Sequence, residues 1–198
     1  MWLEQIHQIA KLAQVRCQQK QLLIIAVDGC GGAGKSTLCK ALAAKIDFWA
    51  HTQIIKLDDF YHPLTNVQQQ NVHHSDAKKA YFDGNKFKGD LLTPLSQGVK
   101  ASYKPVHWLE GQSDQRIEVL PKGVLILDGV FSFSKTLREM VHLSIFVDTP
   151  LLLRTQRMIA RPQLDIGWVD HWQRTEFWHH QHESTATEVD FVVLGNQT

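Results

Sequence analysis

Residues 29–37, GCGGAGKST, are the stretch of this chain best suited to holding a phosphate. Gly29, Gly34, Lys35 and Ser36 fit the spacing G-x-x-x-x-G-K-[ST], the P-loop motif. Glycines let consecutive backbone N–H groups turn inward onto phosphate oxygens. Gly31, Gly32 and Ala33 keep the interior of the loop free of bulk. A helical pattern begins near Lys35, so its N-terminal dipole points at the same anion. Lys35 would reach the β and γ phosphates, Ser36 would ligate Mg²⁺, and Thr37 would hydrogen-bond a further oxygen. A glycine-rich turn without a ligand is the blander reading. The strand pattern before the motif and the helix pattern after it favour a nucleotide site. Cys30, inside the loop, reads as a small filler rather than a redox group. The guanine-reading string Asn-Lys-x-Asp is not matched, since Asn85-Lys86-Phe87-Lys88 lacks the acid. ATP is the expected donor, with Mg²⁺.

Carboxylates follow two other apolar runs. KLDDFYHP (56–63) sets Asp58 and Asp59 just past a strand pattern. Transfer to a hydroxyl needs a carboxylate that orients the acceptor and takes its proton, and Asp58 is the candidate. An ordinary Asp-Asp turn fits those residues equally well. LILDGVF (125–131) ends in Asp128, which is placed like an acid that holds Mg²⁺ together with Ser36 and Asp58, or like an Asp-Gly turn. RTQRMIARP (154–162) spaces Arg154, Arg157 and Arg161 by three and four residues, on one helical face. Such a face either clamps the transferring phosphoryl group or is simply solvated.

These groups need a frame that carries strand ends to one place. LLIIAV (22–27), QIIKL (53–57), GVLILD (123–128), HLSIFVD (142–148) and DFVVL (190–194) are short, β-branched and nearly continuous, as buried parallel strands are. Helical patterns lie at 35–47, 86–98, 134–141, 150–161 and 168–183. The alternation predicts an α/β sandwich of three layers, a mainly five-stranded parallel sheet flanked by helices, with ligands beyond the strands' carboxyl ends. The 198 residues fit one domain (1–198). An amphipathic N-terminal helix (1–20) carries Leu3, Ile6, Ile9, Ala10 and Ala13 on one side. It would pack on its own domain or join two copies into a homo-oligomer. Residues 62–85 and 99–120 read as irregular, and 62–120 is the expected acceptor-site insert. Residues 154–170 are the expected lid region.

A net charge of +1 gives no broad basic face for nucleic acid. No apolar run is long enough to span a bilayer. Three cysteines without a CxxC pair suit a reduced, cytoplasmic setting. His73-His74 and His179-His180-x-His182 offer no evident third metal ligand and read as solvated. Trp168 and Trp172, four apart, read as a packing stripe, with stacking on adenine as the alternative.

In order along the chain, GCGGAGKST, LDDFYHP, YFDGNKFKGDLLTPLSQG, VLILDGVFSF and IFVDTPLLLRTQRMIAR resemble the uridine kinase / phosphoribulokinase family of P-loop kinases. WQRTEFWHHQHESTATEVDFVVLGN resembles that family's final helix and strand. The resemblance implies the P-loop NTPase fold and an ATP- and Mg²⁺-dependent kinase acting on a small molecule. It implies Asp58 as general base, Tyr61 in the acceptor pocket, Asp83 on sugar hydroxyls, and Arg157 and Arg161 in a phosphate-sensing lid. The chain has Asp128-Gly129 where the family often has Glu-Gly, and Pro162 follows Arg161. In SYKPVHWLEG (102–111), Tyr103, His107 and Trp108 offer rings to stack on a base or sugar, in a pattern altered from that of uridine-reading enzymes. Three expectations stand: transfer to a uridine- or cytidine-like nucleoside; transfer to another acceptor such as a vitamin-like riboside (nicotinamide riboside), pantothenate or a phosphosugar; or nucleotide binding with little catalysis.

Overall fold

The structure, a computed structural model, describes residues 2–62, 72–107, 111–161, 166–183 and 185–195. Its strands in chain order are β1 (Leu22–Asp28), β2 (Thr52–Lys56), β3 (Ala101–Tyr103), β4 (Val106–His107), β5 (Gly111–Gln112), β6 (Ile117–Val119), β7 (Gly123–Asp128), β8 (Leu143–Asp148) and β9 (Phe191–Leu194). Five of them form one sheet in the order β2-β7-β1-β8-β9, every pairing parallel. This is the expected sheet. The β1 strand is buried at all seven positions because both neighbours and both faces are covered.

Alternation along β1 sorts its side chains between two cores. Leu22 and Ile24 join one cluster, while Leu23, Ile25 and Val27 join the other. The second cluster is closed by α1 (Trp2–Cys17) and α2 (Lys35–Ile46) through Ile6, Ile9, Leu38 and Leu42. The first is closed by α3 (His74–Tyr81), a continuous helical run α4 (Gly84–Phe87, a π turn Lys88–Leu92, Thr93–Ser96) and α6 (Ile166–Glu183). Helix α5 (Leu151–Ile159) leads from β8 toward the site. Helix α1 packs on its own domain, where Arg16 forms an ion pair with Asp190 (2.8 Å).

Several expectations need correction. Leu3 is exposed, so the buried stripe of α1 begins at Ile6. The helix expected at 134–141 is a single short turn, Arg138–Met140, because the amides there bond three residues back (Leu137 to Ser134, Met140 to Leu137). The irregular 62–85 stretch contains α3, capped by the His73 side chain accepting from the Ser75 N–H (3.3 Å). Histidine is not a usual cap, so the start of α3 was hidden. Residues 99–120 hold two small antiparallel pairs, β3 with β6 and β4 with β5. Residues 63–71 and 108–110 of the expected insert, and 162–165 of the expected lid, lie outside the described residues.

Trp168 and Trp172 stack on each other (centroids 5.5 Å apart), and Trp172 meets Tyr81 edge-on at 5.0 Å. The stripe is packing. The histidine pair His179 and His182 splits: His182 stacks on Trp178, while His179 is buried edge-on to Phe131 at 4.5 Å. Among the described residues no cluster of metal-binding side chains occurs. Neither ring nitrogen of His179 has a hydrogen-bond partner, and burial pushes its imidazolium down to about 3. A folded-state value below the unfolded one means that the neutral ring's stability is complete above about pH 6.5 and drains as pH falls toward 3. Replacing His179 with Leu removes this titration and keeps an apolar contact. The expected result is that the urea midpoint of wild type falls from pH 7 to pH 5, and that of the variant falls less. Parallel falls would refute the assignment.

Candidate active site

The parallel register brings three strand ends to one edge. Val27 and Lys56 both pair with Asp128, so the segments after β1, β2 and β7 emerge side by side. The segment after β1 is the glycine loop, Gly29 to Gly34. Gly32 has φ 73°, and a Cβ there would lie 2.6 Å from the Arg154 carbonyl oxygen. Gly34, at φ 101°, turns the chain into α2. Ala33 is buried behind the loop, and Thr149 Oγ1 donates to its carbonyl (2.9 Å). Lys35 Nζ folds over the loop and donates to the carbonyls of Gly29 (2.8 Å) and Cys30 (2.9 Å). Ser36 and Thr37 are exposed on the first turn of α2. The Cys30 thiol is pushed up to about 12 by burial and by Glu176, which fits a filler and not a reactive thiolate.

Asp28, the last residue of β1, was missed in the sequence. Its fully buried carboxylate accepts from the amides of Gly29 (2.7 Å), Phe131 (3.2 Å) and Phe133 (2.9 Å). It joins the glycine loop to the turn after β7. Phe131 has φ 76°, a left-handed conformation that a bulky side chain rarely adopts. The Asp28 bond and the packing of its ring on Phe82 and His179 hold it there. The available signal was an acid ending an apolar strand, directly before Gly29.

Asp58 sits in the 3₁₀ turn Leu57–Phe60 after β2. Its side chain is open to solvent yet ringed by protein, as in a cleft. Partial desolvation raises its carboxyl, Lys35 opposes that, and Asp128, Asp59 and then Arg161 act more weakly. The charges of Lys35 and Asp128 thus reach Asp58, at the edge where β2 and β7 end. Asp128 is buried at the end of β7 and takes a hydrogen bond from Cys39, whose thiol is raised mainly by burial. Asp59 accepts from the Tyr103 hydroxyl (3.0 Å), and the Tyr103 ring lies 4.5 Å from Phe60. Tyr103 thus flanks the turn that carries Asp58. Tyr61 donates to the Val130 carbonyl (3.0 Å) and packs on Phe82 and Trp172, forming a wall on the same side. Asp83 follows Phe82, which bridges to Tyr61, but its carboxylate caps α4 by accepting from the Lys86 N–H (3.0 Å). Its expected role on a sugar therefore competes with a structural one. His107 lies in β4, and its side chain is outside the described residues.

The three arginines divide. Arg157 donates to the carbonyls of Gly32 and Gly195 (3.2 Å each), bracing the outside of the loop. Arg161 lies exposed just past α5, near enough to lower the Asp58 carboxyl. Arg154 points inward, with Nε donating to the Thr149 carbonyl (3.0 Å) and Nη1 3.6 Å from Glu176 Oε2. Glu176, a second residue missed in the sequence, is fully buried on α6 and accepts from the Gly31 amide at 2.6 Å. Burial raises its carboxyl to about 7 despite Lys35, the Gly31 amide, Arg154 and Trp172. Its helical pattern offered no cue, since it lies between aromatic residues far along the chain.

The residues present fit a nucleoside triphosphate and Mg²⁺. A Cβ at Gly29 or Gly32 would meet backbone oxygen at 2.5 or 2.6 Å, so the loop keeps its tight turn only with glycine there, and its lysine bonds only to loop carbonyls among the described contacts. Ser36, Asp58 and Asp128 supply the hard oxygen donors that Mg²⁺ prefers.

A parallel sheet with a glycine loop, lysine and helix N-terminus at its carboxyl edge defines a P-loop domain. Residues 24–168 match the Phosphoribulokinase / Uridine kinase family, and the chain belongs to it. The chain is 30% identical over 158 residues (75% of its length) to "Uridine kinase-like protein 4" of Arabidopsis thaliana. That match spans 32% of the relative, about a third of its length. It is 28% identical over 156 residues to "Uridine kinase" of Latilactobacillus sakei, covering 73% of this chain and 68% of the relative. It is 27% identical over 189 residues to "Uridine kinase" of Ligilactobacillus salivarius, covering 89% and 86%. In fold it is similar to a solved "Possible Uridine Kinase from Bacillus stearothermophilus", with a TM-score of 0.74, 16% identity and coverage of 98% and 100%. No helix among the described residues is long and apolar enough to cross a membrane.

Asp28→Asn tests the junction. An amide offers one acceptor oxygen and sets an NH₂ against at least one backbone N–H. The expected loss is about 2–4 kcal/mol of stability, read from urea unfolding, together with weaker nucleotide binding. Unchanged unfolding would show that the junction is not structural.

Proposed function

We propose that this protein transfers the γ-phosphoryl group of ATP, with Mg²⁺, to a hydroxyl of a nucleoside such as uridine or cytidine. The observation that carries the reading is the position of Asp58. It lies on the turn after β2, its carboxyl raised by its surroundings, within reach of the Lys35 and Asp128 charges. The family and the names of the relatives support a kinase of small molecules.

The acceptor oxygen attacks the γ phosphorus, the bond from that phosphorus to the β–γ bridging oxygen breaks, and ADP leaves. Asp58 accepts the hydroxyl proton. The loop amides and Lys35 hold the β and γ phosphates. Arg161, whose charge reaches Asp58, would offset the charge that develops on the transferring group, with Arg154 adding positive charge behind the loop. Mg²⁺, held by Ser36 with Asp58 or Asp128, would neutralise phosphate charge. Tyr61 and Tyr103 form the acceptor wall, with Asp83 and His107 as candidates for hydroxyl contacts.

The test is Mg²⁺-dependent ATP consumption across ribosides, vitamins and sugars, with Lys35→Ala as the blank. Turnover on uridine or cytidine is expected. Asp58→Asn should lower it by about a hundredfold or more while nucleotide binding persists. Turnover on a different compound renames the acceptor. Full activity in Asp58→Asn overturns the mechanism, and silence across the panel with tight ATP binding points to a nucleotide-binding regulator.

A further inference from the structure

Two buried charged atoms beside the glycine loop face each other without a hydrogen bond. Arg154 Nη1 and Glu176 Oε2 are both inaccessible to solvent and lie 3.6 Å apart. The other carboxylate oxygen of Glu176 is occupied by the Gly31 amide at 2.6 Å. Unmade bonds of this kind weaken a fold unless something completes them. The pair lies beside Gly31, in the phosphate-holding loop. A phosphate oxygen is acceptor-only. Held by the loop beside Glu176, it repels an ionised carboxylate. It becomes compatible with Glu176 if Oε2 carries a proton and donates.

We propose that Glu176 is a positioning residue for the terminal phosphate: its carboxyl group fixes the Gly31 amide and the Arg154 guanidinium, and takes up a proton as that phosphate enters beside it. This rests on the nucleotide reading above. Among the described residues, few charged or titratable groups face Glu176. Lys35 and Cys30 lie on the loop side, Arg154 on α5, and Tyr61 after β2; Trp172 lies one turn earlier on its own helix. Lys35, Arg154 and Trp172 favour the ionised form, burial opposes it more strongly, and the carboxyl stands near neutrality, ready to change state. Glutamine at this position copies the protonated acid. Its carbonyl accepts from Gly31, and its NH₂ donates where the acid's proton would.

The experiment is calorimetric binding of Mg–ATP, without acceptor, in buffers of different ionisation enthalpy at pH 7.5, repeated with Mg–ADP. Wild type is expected to take up a substantial fraction of a proton with Mg–ATP and less with Mg–ADP. Glu176→Gln is expected to take up none. From pH 6 to pH 8 wild-type affinity for Mg–ATP should fall by about tenfold more than that of Glu176→Gln. Should the variant not fold, the ATP-against-ADP difference in wild type decides alone. Equal proton uptake with both nucleotides, or in both proteins, overturns this inference and leaves the nucleotide reading standing. No binding of Mg–ATP to wild type overturns both.

Discussion

The Asp28 carboxylate is the constraint on which the site depends. It is wholly buried, and a charge in that position is tolerable only when backbone donors surround it. Gly29 comes from the loop that would hold phosphate; Phe131 and Phe133 come from the turn after β7. One side chain therefore fixes the distance between the glycine loop and the strand end that carries Asp128. It also holds Phe131 in a left-handed conformation, and the Phe131 ring anchors the aromatic wall of Tyr61, Phe82 and Trp172. Strain at one residue is maintained by bonds at another, as expected where a site is held in advance of its ligand.

Parallel pairing does the larger placement. Since β1 and β2 both flank β7, and Val27 and Lys56 meet Asp128, residues distant in sequence arrive at one edge without any long side chain having to reach. The loop, the Asp58 turn and Asp128 are then within electrostatic range of one another. Arg154 and Arg157 of α5 close the other side, both bound to protein groups around the loop rather than arrayed as one face toward a ligand.

The sheet was legible because each of its strands is short, apolar and β-branched, a pattern that parallel strands force. The glycine loop was legible because few other backbones need that spacing. Asp58 and Asp128 were legible as strand-end acids once the loop was in hand. Asp28 and Glu176 were not, since a single acid in an apolar strand or an aromatic helix says nothing about which backbone amide it will meet across the fold. Asp83 was read for a ligand role, and the structure shows its oxygen capping α4, a local hydrogen bond invisible without φ and ψ. The small strands of 101–119 escaped because two- and three-residue pairs carry no periodicity.

The carbonyl of Gly195 receives both terminal nitrogens of Arg157, and its amide donates to Asp148. Arg157 in turn holds Gly32. The outer brace of the glycine loop is thus completed by Gly195, more than 160 positions downstream. Loop-closure entropy must be met before such a contact forms, and pairing of β1 with β7 spans roughly a hundred residues as well. The phosphate-binding sequence leaves the ribosome well before the residue that completes its brace. A nascent chain that has emerged only as far as β7 presents the motif without the brace, so capture of nucleotide would report on completed folding rather than help to nucleate it.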